Sequence, residues 1–256
     1  MIPVKTDTEL DAMRAACRTA ANILKTLESK VVPGVTTYDL DQFSRELMDE
    51  AGAVSACYNY RSGSRVFPAY SCISVNEEIV HGIGSLKRIL QDGDIITLDV
   101  NIVLDGFVGD NARTVPVGEG TDPTVLDLVN TTEQALDAGI RQARNGKRVG
   151  DISSAVQSLV ERKGYTIVRD FVGHGVGRSM HEDPQIPNFG RPGTGPRLKA
   201  GMTLAIEPMV NLGGPEVDIL DDGWTAVTRD RQPSCHFEHT VLVGPQGPEI
   251  LTVADF

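Results

Sequence analysis

The chain has 256 residues, with 35 acidic and 24 basic side chains, and its formal net charge is −11 at pH 7. With 40% hydrophobic and 23% charged residues, the composition is that of a globular protein and excludes a disordered or collagen-like chain. The length predicts one or two domains with a full hydrophobic core. The acidity argues against a protein that binds nucleic acid through phosphates, because such proteins need a basic surface.

The cysteines and the N-terminal segment indicate the compartment. Cys17, Cys57, Cys72 and Cys235 form no C-x-x-C pair, which argues against a zinc knuckle or a disulfide framework. We expect free thiols in a reducing compartment. The N-terminal segment has no apolar run of signal-peptide length, and no apolar stretch is long enough to span a membrane. The sequence therefore predicts a cytoplasmic protein that does not associate with membranes.

Apolar residues recur at the helical spacing of three and four in four segments, which extend from Thr6 to Leu27, Leu40 to Gly52, Asp122 to Gly146, and Ile152 to Gly164. The first begins with the capping box Thr6-x-x-Glu9. The third begins at Asp122-Pro123, where a capping residue precedes a proline at the first helical position. We therefore predict two pairs of helices, each pair followed by a strand-rich region.

The two helix pairs match each other at a constant offset, which places Gly34 on Gly146, Asp39 on Asp151 and Gly52 on Gly164. An acid and a histidine also recur in the strand regions, with HGIG at 81–84 and HGVG at 174–177. Internal repetition of this kind indicates a duplicated architecture. We predict a single catalytic domain over 1–256, with pseudo-symmetric halves of about 1–118 and 119–256 around one site.

A hairpin predicted around Asp105-Gly106 brings two carboxylates together. Pairing across this turn places Asn101 opposite Asp110, and Asp99 lies on the same face two residues earlier. Two ionised carboxylates at this separation repel each other unless a cation lies between them. A single aspartate on a hairpin is commonly just solvated, but the flanking residues here are apolar on both faces. A metal site is therefore favoured.

The second half supplies further ligands of the same kind. Glu207 in TLAIEPMV and Glu238 in FEHTVLV are lone carboxylates in apolar strands, and His174 lies between glycines in FVGHGVG. Together with the two aspartates, they form a set of four carboxylates and one imidazole without a thiolate. Such a set suits Mn²⁺, Fe²⁺, Co²⁺ or Zn²⁺ in a dinuclear hydrolytic site.

Five segments in order resemble the methionine aminopeptidases, in particular the short bacterial type I form: CISVNEEIVHGIG, GDIITLDVNIVLDGFVGDNARTV, GHGVGRSMHEDPQIPN, GMTLAIEPMV and FEHTVLV. The resemblance extends over nearly the whole chain. It implies an α+β pita-bread fold, in which an antiparallel sheet core is covered by outer helices. It also implies removal of the initiator methionine from nascent proteins when the second residue is small, so that Met1, which precedes Ile2, is expected to be retained.

The resemblance implies a role for each matched residue. The metal ligands would be Asp99, Asp110, His174, Glu207 and Glu238, with Asp110 and Glu238 bridging two divalent ions. A water molecule between the ions would be the nucleophile, and Glu207 would accept its proton. His81 and His181 would contact the substrate and stabilise the tetrahedral intermediate. His236 shares a strand face with Glu238, so two roles are open to it: it could support the metal ligands, or it could be purely structural, and the structural role is favoured.

The methionine side chain would be bound by an apolar pocket formed by Phe67, Cys72, Met180 and Trp224. Cys72 and Trp224 fit the family pattern, whereas Phe67 and Met180 stand where tyrosine and phenylalanine are more usual. Both substitutions keep a soft, apolar wall that suits a thioether. The stretch CYNYRSGSRVFPAY departs from the common bacterial pattern, and its tyrosines have no assigned place.

The expected partners are peptides and nascent chains with an N-terminal methionine, with transient ribosome association and no specific nucleic acid. The enzyme is expected to be a monomer that uses two ions of Co, Mn, Fe or Zn. One alternative is an Xaa-Pro peptidase of the same fold, but those chains usually carry a large extra N-terminal domain. Another is a non-catalytic binding protein of this fold, but such proteins lose metal ligands, whereas all five matched positions here keep one.

Overall fold

The structure, a computed structural model of the chain, describes residues 2–256, and Met1, whose retention is predicted, lies outside the described residues. The helices are α1 Asp7–Glu28, α2 Thr37–Glu50, α3 Pro123–Ile140 and α4 Val149–Arg162. The strands are β1 Val54–Ser55, β2 Arg61–Ser62, β3 Arg65–Val66, β4 Cys72–Val75, β5 Glu78–Val80, β6 Ile95–Leu104, β7 Phe107–Pro116, β8 Thr166–Ile167, β9 Gly173–Gly175, β10 Glu182–Ile186, β11 Thr203–Ile206, β12 Met209–Asn211, β13 Val217–Ile219, β14 Ala226–Thr228, β15 Ser234–His236, β16 Glu238–Val243 and β17 Pro248–Ile250.

Capping side chains determine where the helices begin. The predicted capping box is present at α1, where the hydroxyl of Thr6 accepts from the Glu9 N–H and the Glu9 carboxylate accepts from the Thr6 N–H. Asp122 caps α3, as predicted. The predicted end of α3 at Asn145-Gly146 is wrong by about one and a half turns, since the helix ends at Ile140. The N–H of Gly146 donates to the Leu198 carbonyl instead of continuing the helix.

The predicted hairpin is confirmed in its register. Strands β6 and β7 pair from Ile95 and Pro116 to the turn, with Asn101 opposite Asp110. Asp105 and Gly106 both have positive φ, of 50° and 79°, as a type I′ turn requires. The turn therefore fixes the face on which the acidic side chains of these strands lie.

One antiparallel sheet carries most of the candidate site. Its strands follow the order β1-β6-β7-β16-β11-β9-β10, while β4 also pairs with β6 and β17 with β16. Helix α1 packs on β6 and β7, and α3 packs against α4 and the strands of the second half. Two separate clusters of buried apolar side chains, one under each helix pair, fill the space between helices and sheet.

Glycines at matching positions of the two helix pairs have similar backbone conformations. Gly34 and Gly146 have φ of 94° and 87°, and Gly52 and Gly164 have φ of 67° and 85°. These values are accessible to glycine with little strain. The division of the chain into two related halves stays a prediction, to which this similarity lends support.

All four cysteines are buried and free. Among residues 2–256, no helix combines the length and the apolarity needed to cross a lipid bilayer.

Candidate active site

The predicted site residues from both halves of the chain line one cavity of about 260 Å³. They are Phe67, Cys72, His81, Asp99, Asp110, His174, Met180, His181, Glu207, Trp224 and Glu238. The carboxylates and His174 lie on one wall, and most of the other predicted residues are apolar or aromatic. This combination of an apolar pocket with a few converging polar groups is typical of small-ligand sites.

Cross-strand pairing explains why three carboxylates converge. Ala112 on β7 is directly opposite Asp99 on β6 and directly opposite Glu238 on β16. Asp110 lies two residues from Ala112 and therefore on the same face. The amide nitrogen of Asn101 donates to Asp99 Oδ1 at 2.7 Å and to Asp110 Oδ1, so it bridges the two aspartates.

His174 and Glu207 come from neighbouring strands. His174 lies on β9 opposite Ala205 of β11, and Glu207 follows β11 directly. The glycines beside His174 are needed for close packing, because a Cβ at Gly175 would lie 2.2 Å from the Asp183 carbonyl oxygen. The imidazole of His174 is buried.

The distances between these groups fit a metal centre. One ligand atom from each of Asp110, His174 and Glu238 lies within 4.8 Å of the other two. His174 Nε2 is 3.4 Å from Glu207 Oε1, and its Nδ1–H donates to the Gly175 carbonyl at 2.9 Å, which leaves Nε2 for a cation. Glu238 Oε1 is buried and has no hydrogen-bond partner among the described residues. An orphaned carboxylate oxygen among other carboxylates is the observation that the binding of a divalent cation explains.

The protonation behaviour of these carboxylates points the same way. Burial raises the pKa of Asp99 to about 6 and that of Glu207 to about 8. Burial, followed by the charge of Asp99, raises the pKa of Asp110 well above its ordinary value. Burial, followed by the charge of Asp110, does the same to the pKa of Glu238. Buried carboxylates with raised pKa values mark a site that needs compensating positive charge.

Two histidines border this group of carboxylates. His81 has a positive φ of 61°, a strained conformation of the kind that concentrates at functional sites. Burial lowers the pKa of His81 to about 4, so the imidazole is neutral at pH 7. His181 packs edge-on against His174 with ring centroids 4.4 Å apart, and its Nδ1 is in hydrogen-bond contact with the Tyr60 hydroxyl at 2.9 Å.

The apolar part of the cavity includes residues that the sequence did not identify. Phe67 and Trp224 pack edge-on at 5.3 Å, and Cys72 belongs to the same cluster. Cys57 and Tyr60 join them from the stretch whose tyrosines had no assigned place. Since that stretch forms loops and very short strands, no periodicity in the sequence could have located their side chains.

Asn101 is the other residue that the sequence analysis left without a role. It shares a strand face with Asp99 and is directly opposite Asp110. The predicted register already contained this information, and a polar amide between two buried carboxylates was the signal that could have identified it.

Fold and site define a metal-dependent hydrolase, and a comparison with known families agrees. The sequence model of metallopeptidase family M24 matches residues 11–245. The chain therefore belongs to metallopeptidase family M24.

Within that family, the similar proteins are methionine aminopeptidases. The chain is 48% identical to a methionine aminopeptidase of Clostridium perfringens over 99% of both chains, and 45% identical to methionine aminopeptidase 1 of Bacillus subtilis over 98% of this chain and 99% of the relative. The crystal structure of a methionine aminopeptidase from Thermotoga maritima superposes with a TM-score of 0.94 at 44% identity, covering 98% of this chain and 99% of the other. These relatives place the chain among the methionine aminopeptidases of the family.

A more distant structure shares the fold alone. The Xaa-Pro dipeptidase from Bacillus anthracis superposes with a TM-score of 0.77 at 22% identity, and the match covers 97% of this chain but 61% of that one. The predicted α+β pita-bread fold is confirmed by these structural neighbours.

Proposed function

We propose that this chain is a metal-dependent aminopeptidase that removes the N-terminal methionine from proteins whose second residue is small. The observation that carries the proposal is the cavity itself, in which three buried carboxylates, the carboxylate of Glu207 with 12% of its side chain exposed, and a buried histidine face an apolar pocket. Full-length similarity to methionine aminopeptidases supports the same activity.

We assign the ligand roles to Asp99, Asp110, His174, Glu207 and Glu238, which would hold two divalent ions, with Asp110 and Glu238 shared between them. When bound, the metal ions supply Lewis acidity that activates a water molecule and polarises the scissile carbonyl. Glu207 would accept the proton of that water and pass it to the leaving amine, because bound cations would keep its carboxylate ionised and therefore able to act as a base. The chemistry is peptide hydrolysis by general base catalysis.

His81 and His181 line the same cavity as the metal ligands and bind the substrate there. His81 is neutral at pH 7 and donates a hydrogen bond to the peptide without placing a charge next to the metal site. The Tyr60 hydroxyl at His181 Nδ1 fixes the orientation of that imidazole. Hydrogen bonds to the oxygen on which charge develops stabilise the tetrahedral intermediate.

The pocket explains the choice of methionine. Phe67, Cys72, Met180 and Trp224 present aromatic faces and sulfur atoms, which make favourable contacts with a thioether. The preference for a small second residue is proposed by analogy with the methionine aminopeptidases.

The proposal extends to the surroundings of the reaction. The substrates are peptides and nascent chains with an N-terminal methionine, and the enzyme acts as a cytoplasmic monomer with two ions of Co, Mn, Fe or Zn. Oxygen and imidazole ligands accept each of these ions. Transient ribosome association stays a prediction.

The proposal is tested with the metal-stripped protein, reloaded separately with Mn²⁺, Fe²⁺ or Co²⁺. Release of the first residue is measured for three peptides that begin Met-Ala, Met-Leu and Ala-Pro. We expect cleavage of the Met-Ala peptide, little cleavage of the Met-Leu peptide and none of the Ala-Pro peptide. A preference for Ala-Pro, or no cleavage with any ion, contradicts the proposal.

The role of Glu207 is tested in the same assay with a matched pair of variants. Glu207→Gln keeps the side-chain shape but removes the proton acceptor, so we expect kcat to fall by about 10² to 10⁴. Glu46→Gln makes the same chemical change at an exposed position of α2 and should leave kcat unchanged. A Glu207→Gln enzyme with a near-normal kcat would exclude Glu207 as the base.

A further inference from the structure

His236 lies inside the candidate active site, beside the carboxylate proposed as proton acceptor. Its side chain is 2% exposed and lines the same cavity, and its Nε2 is 3.5 Å from Glu207 Oε2. Neither ring nitrogen has a hydrogen-bond partner within residues 2–256. Since a buried polar atom without a partner is costly, an imidazole placed here needs a reason beyond filling space.

The backbone of His236 is held so that its ring faces Glu207. The His236 N–H donates to Thr114 Oγ1 at 2.9 Å, and this hydroxyl in turn donates to the His236 carbonyl at 2.8 Å. A second hydroxyl, that of Thr97, is 2.7 Å from Thr114 Oγ1 and secures it. On the other side, His236 pairs directly with Met209, two residues after Glu207. The short distance to Glu207 therefore follows from fixed strand geometry.

The two oxygens of Glu207 face different imidazoles. Oε1 is 3.4 Å from His174 Nε2, and Oε2 is 3.5 Å from His236 Nε2. The separation of 3.5 Å is longer than a normal hydrogen bond, but the terminal torsion of a glutamate is soft, and a modest rotation shortens it. One oxygen can thus be committed to the metal-ligand side and the other to a hydrogen bond.

We infer that His236 is a positioning residue, whose Nε2–H donates to Glu207 Oε2 in the metal-loaded enzyme and holds the other oxygen beside His174. The inference rests on the proposed function and adds to it a residue to which the mechanism above gives no part. Loss of a hydrogen bond that orients a metal ligand commonly lowers metal affinity or activity by about 10- to 100-fold.

The test compares His236→Gln with His236→Met in the full-length protein. Glutamine and methionine have the same unbranched length, but only glutamine has an N–H that can donate to Glu207. Three readouts are taken: kcat and KM on a Met-Ala peptide, Mn²⁺ affinity by titration calorimetry, and the visible absorption of the Co²⁺-loaded protein. Thermal unfolding of the metal-free variants controls for folding.

We expect His236→Met to weaken Mn²⁺ binding by about 10- to 100-fold and to lower kcat by a similar factor. The change in KM should be smaller than the change in kcat. His236→Gln should restore most of both values. The inference is overturned if the methionine variant matches the wild type in kcat and Mn²⁺ affinity, because His236 then only fills space. It is equally overturned if both variants are impaired alike, or if both change the Co²⁺ spectrum as the loss of a ligand does.

The inference and the proposed function fail in different ways. If the wild-type protein cleaves no peptide with any ion, the proposed function is wrong. The Mn²⁺ affinities of the wild type and the two variants are measured without substrate, so they decide the role of His236 in that case also.

Discussion

The metal-free protein should lose stability as the pH rises from 7 to 8, because its buried carboxylates then have no cation to neutralise them. Burial raises the pKa of Glu207 to about 8, whereas a glutamate in an unfolded chain titrates near about 4.3. Between these values the folded protein holds a proton that the unfolded chain has lost, so the free energy of unfolding falls as the pH rises. The raised pKa values of Asp110 and Glu238 act in the same direction.

The magnitude follows from Glu207 alone. One proton bound only in the folded state is worth about 1.4 kcal/mol for each pH unit, and this proton is about half lost at pH 8, so the fall from pH 7 to 8 is about 1 kcal/mol. For a chain of this length, it lowers Tm by about 2–4 °C. The histidines do not obscure the effect. Burial lowers the pKa of His81 and His174 to about 4, so the stability that they contribute is lost only as the pH falls below about 6.5.

The assay is thermal unfolding of chelator-treated protein at pH 7.0 and 8.0, with the Mn²⁺-loaded protein and metal-free Glu207→Gln in parallel. Bound metal keeps the carboxylates ionised and competes with protons, so the loaded protein should keep or raise its Tm over this interval. The glutamine variant has no proton to lose at this position and should show a smaller fall. A metal-free wild-type Tm that is constant or rises from pH 7 to 8 would refute the reasoning.

Three further substitutions test other parts of the site. Trp224→Ala removes one wall of the apolar pocket, so kcat/KM on a Met-Ala peptide should fall by about 10-fold or more. Mn²⁺ affinity, measured by calorimetry, should stay unchanged. An unchanged kcat/KM would mean that the methionine side chain binds elsewhere. Tyr60→Phe removes the hydroxyl at His181 Nδ1 and should lower kcat a few-fold (about 1 kcal/mol) in the same assay, an effect that should disappear in a His181→Ala background. His81→Ala should lower kcat by about 10²-fold, whereas His239→Ala, on a histidine that does not line this cavity, should not; equal losses would point to a general effect on folding.

The sequence was sufficient where local rules determine the geometry. The two-residue turn at Asp105-Gly106 and the period of two along a strand fix which side chains lie together, so Asn101 opposite Asp110 could be predicted and is found. Caps work in the same way, and the start of α1 at Thr6 is confirmed. The end of α3 could not be predicted because the chain leaves the helix after Ile140 through short local turns, in which the N–H of Gln142 donates to the Gly139 carbonyl, and apolar spacing does not distinguish such turns from a continued helix.

Non-local strand pairing limits what the sequence alone can show. Glu238 stands out in the sequence as a lone carboxylate, but its place beside Asp99 depends on β16 lying between β7 and β11. The family resemblance, rather than the pattern, supplied that association. For His236, the alternation of side chains along the strand indicated a shared face with Glu238 but gave no information about Glu207. A structural role was therefore favoured, and the contact of 3.5 Å with Glu207 was not foreseen.

The pocket was the least predictable part of the site. Phe67 and Trp224 could be identified from the resemblance, and the structure packs them together. Cys57 and Tyr60 lie in a segment of loops and short strands, where neither helical nor strand periodicity applies. Positions of this kind depend on how loops pack against the finished fold.

The central claim is that five residues from both halves of the chain hold two catalytic cations. Anomalous diffraction from crystals of the Mn²⁺-loaded protein, recorded at the manganese absorption edge, tests it most directly. The account predicts two peaks about 3.5–4 Å apart, both in contact with Asp110 and Glu238, one also with Asp99 and the other with His174 and Glu207. A single peak at saturating Mn²⁺, or peaks that do not contact these side chains, would contradict it.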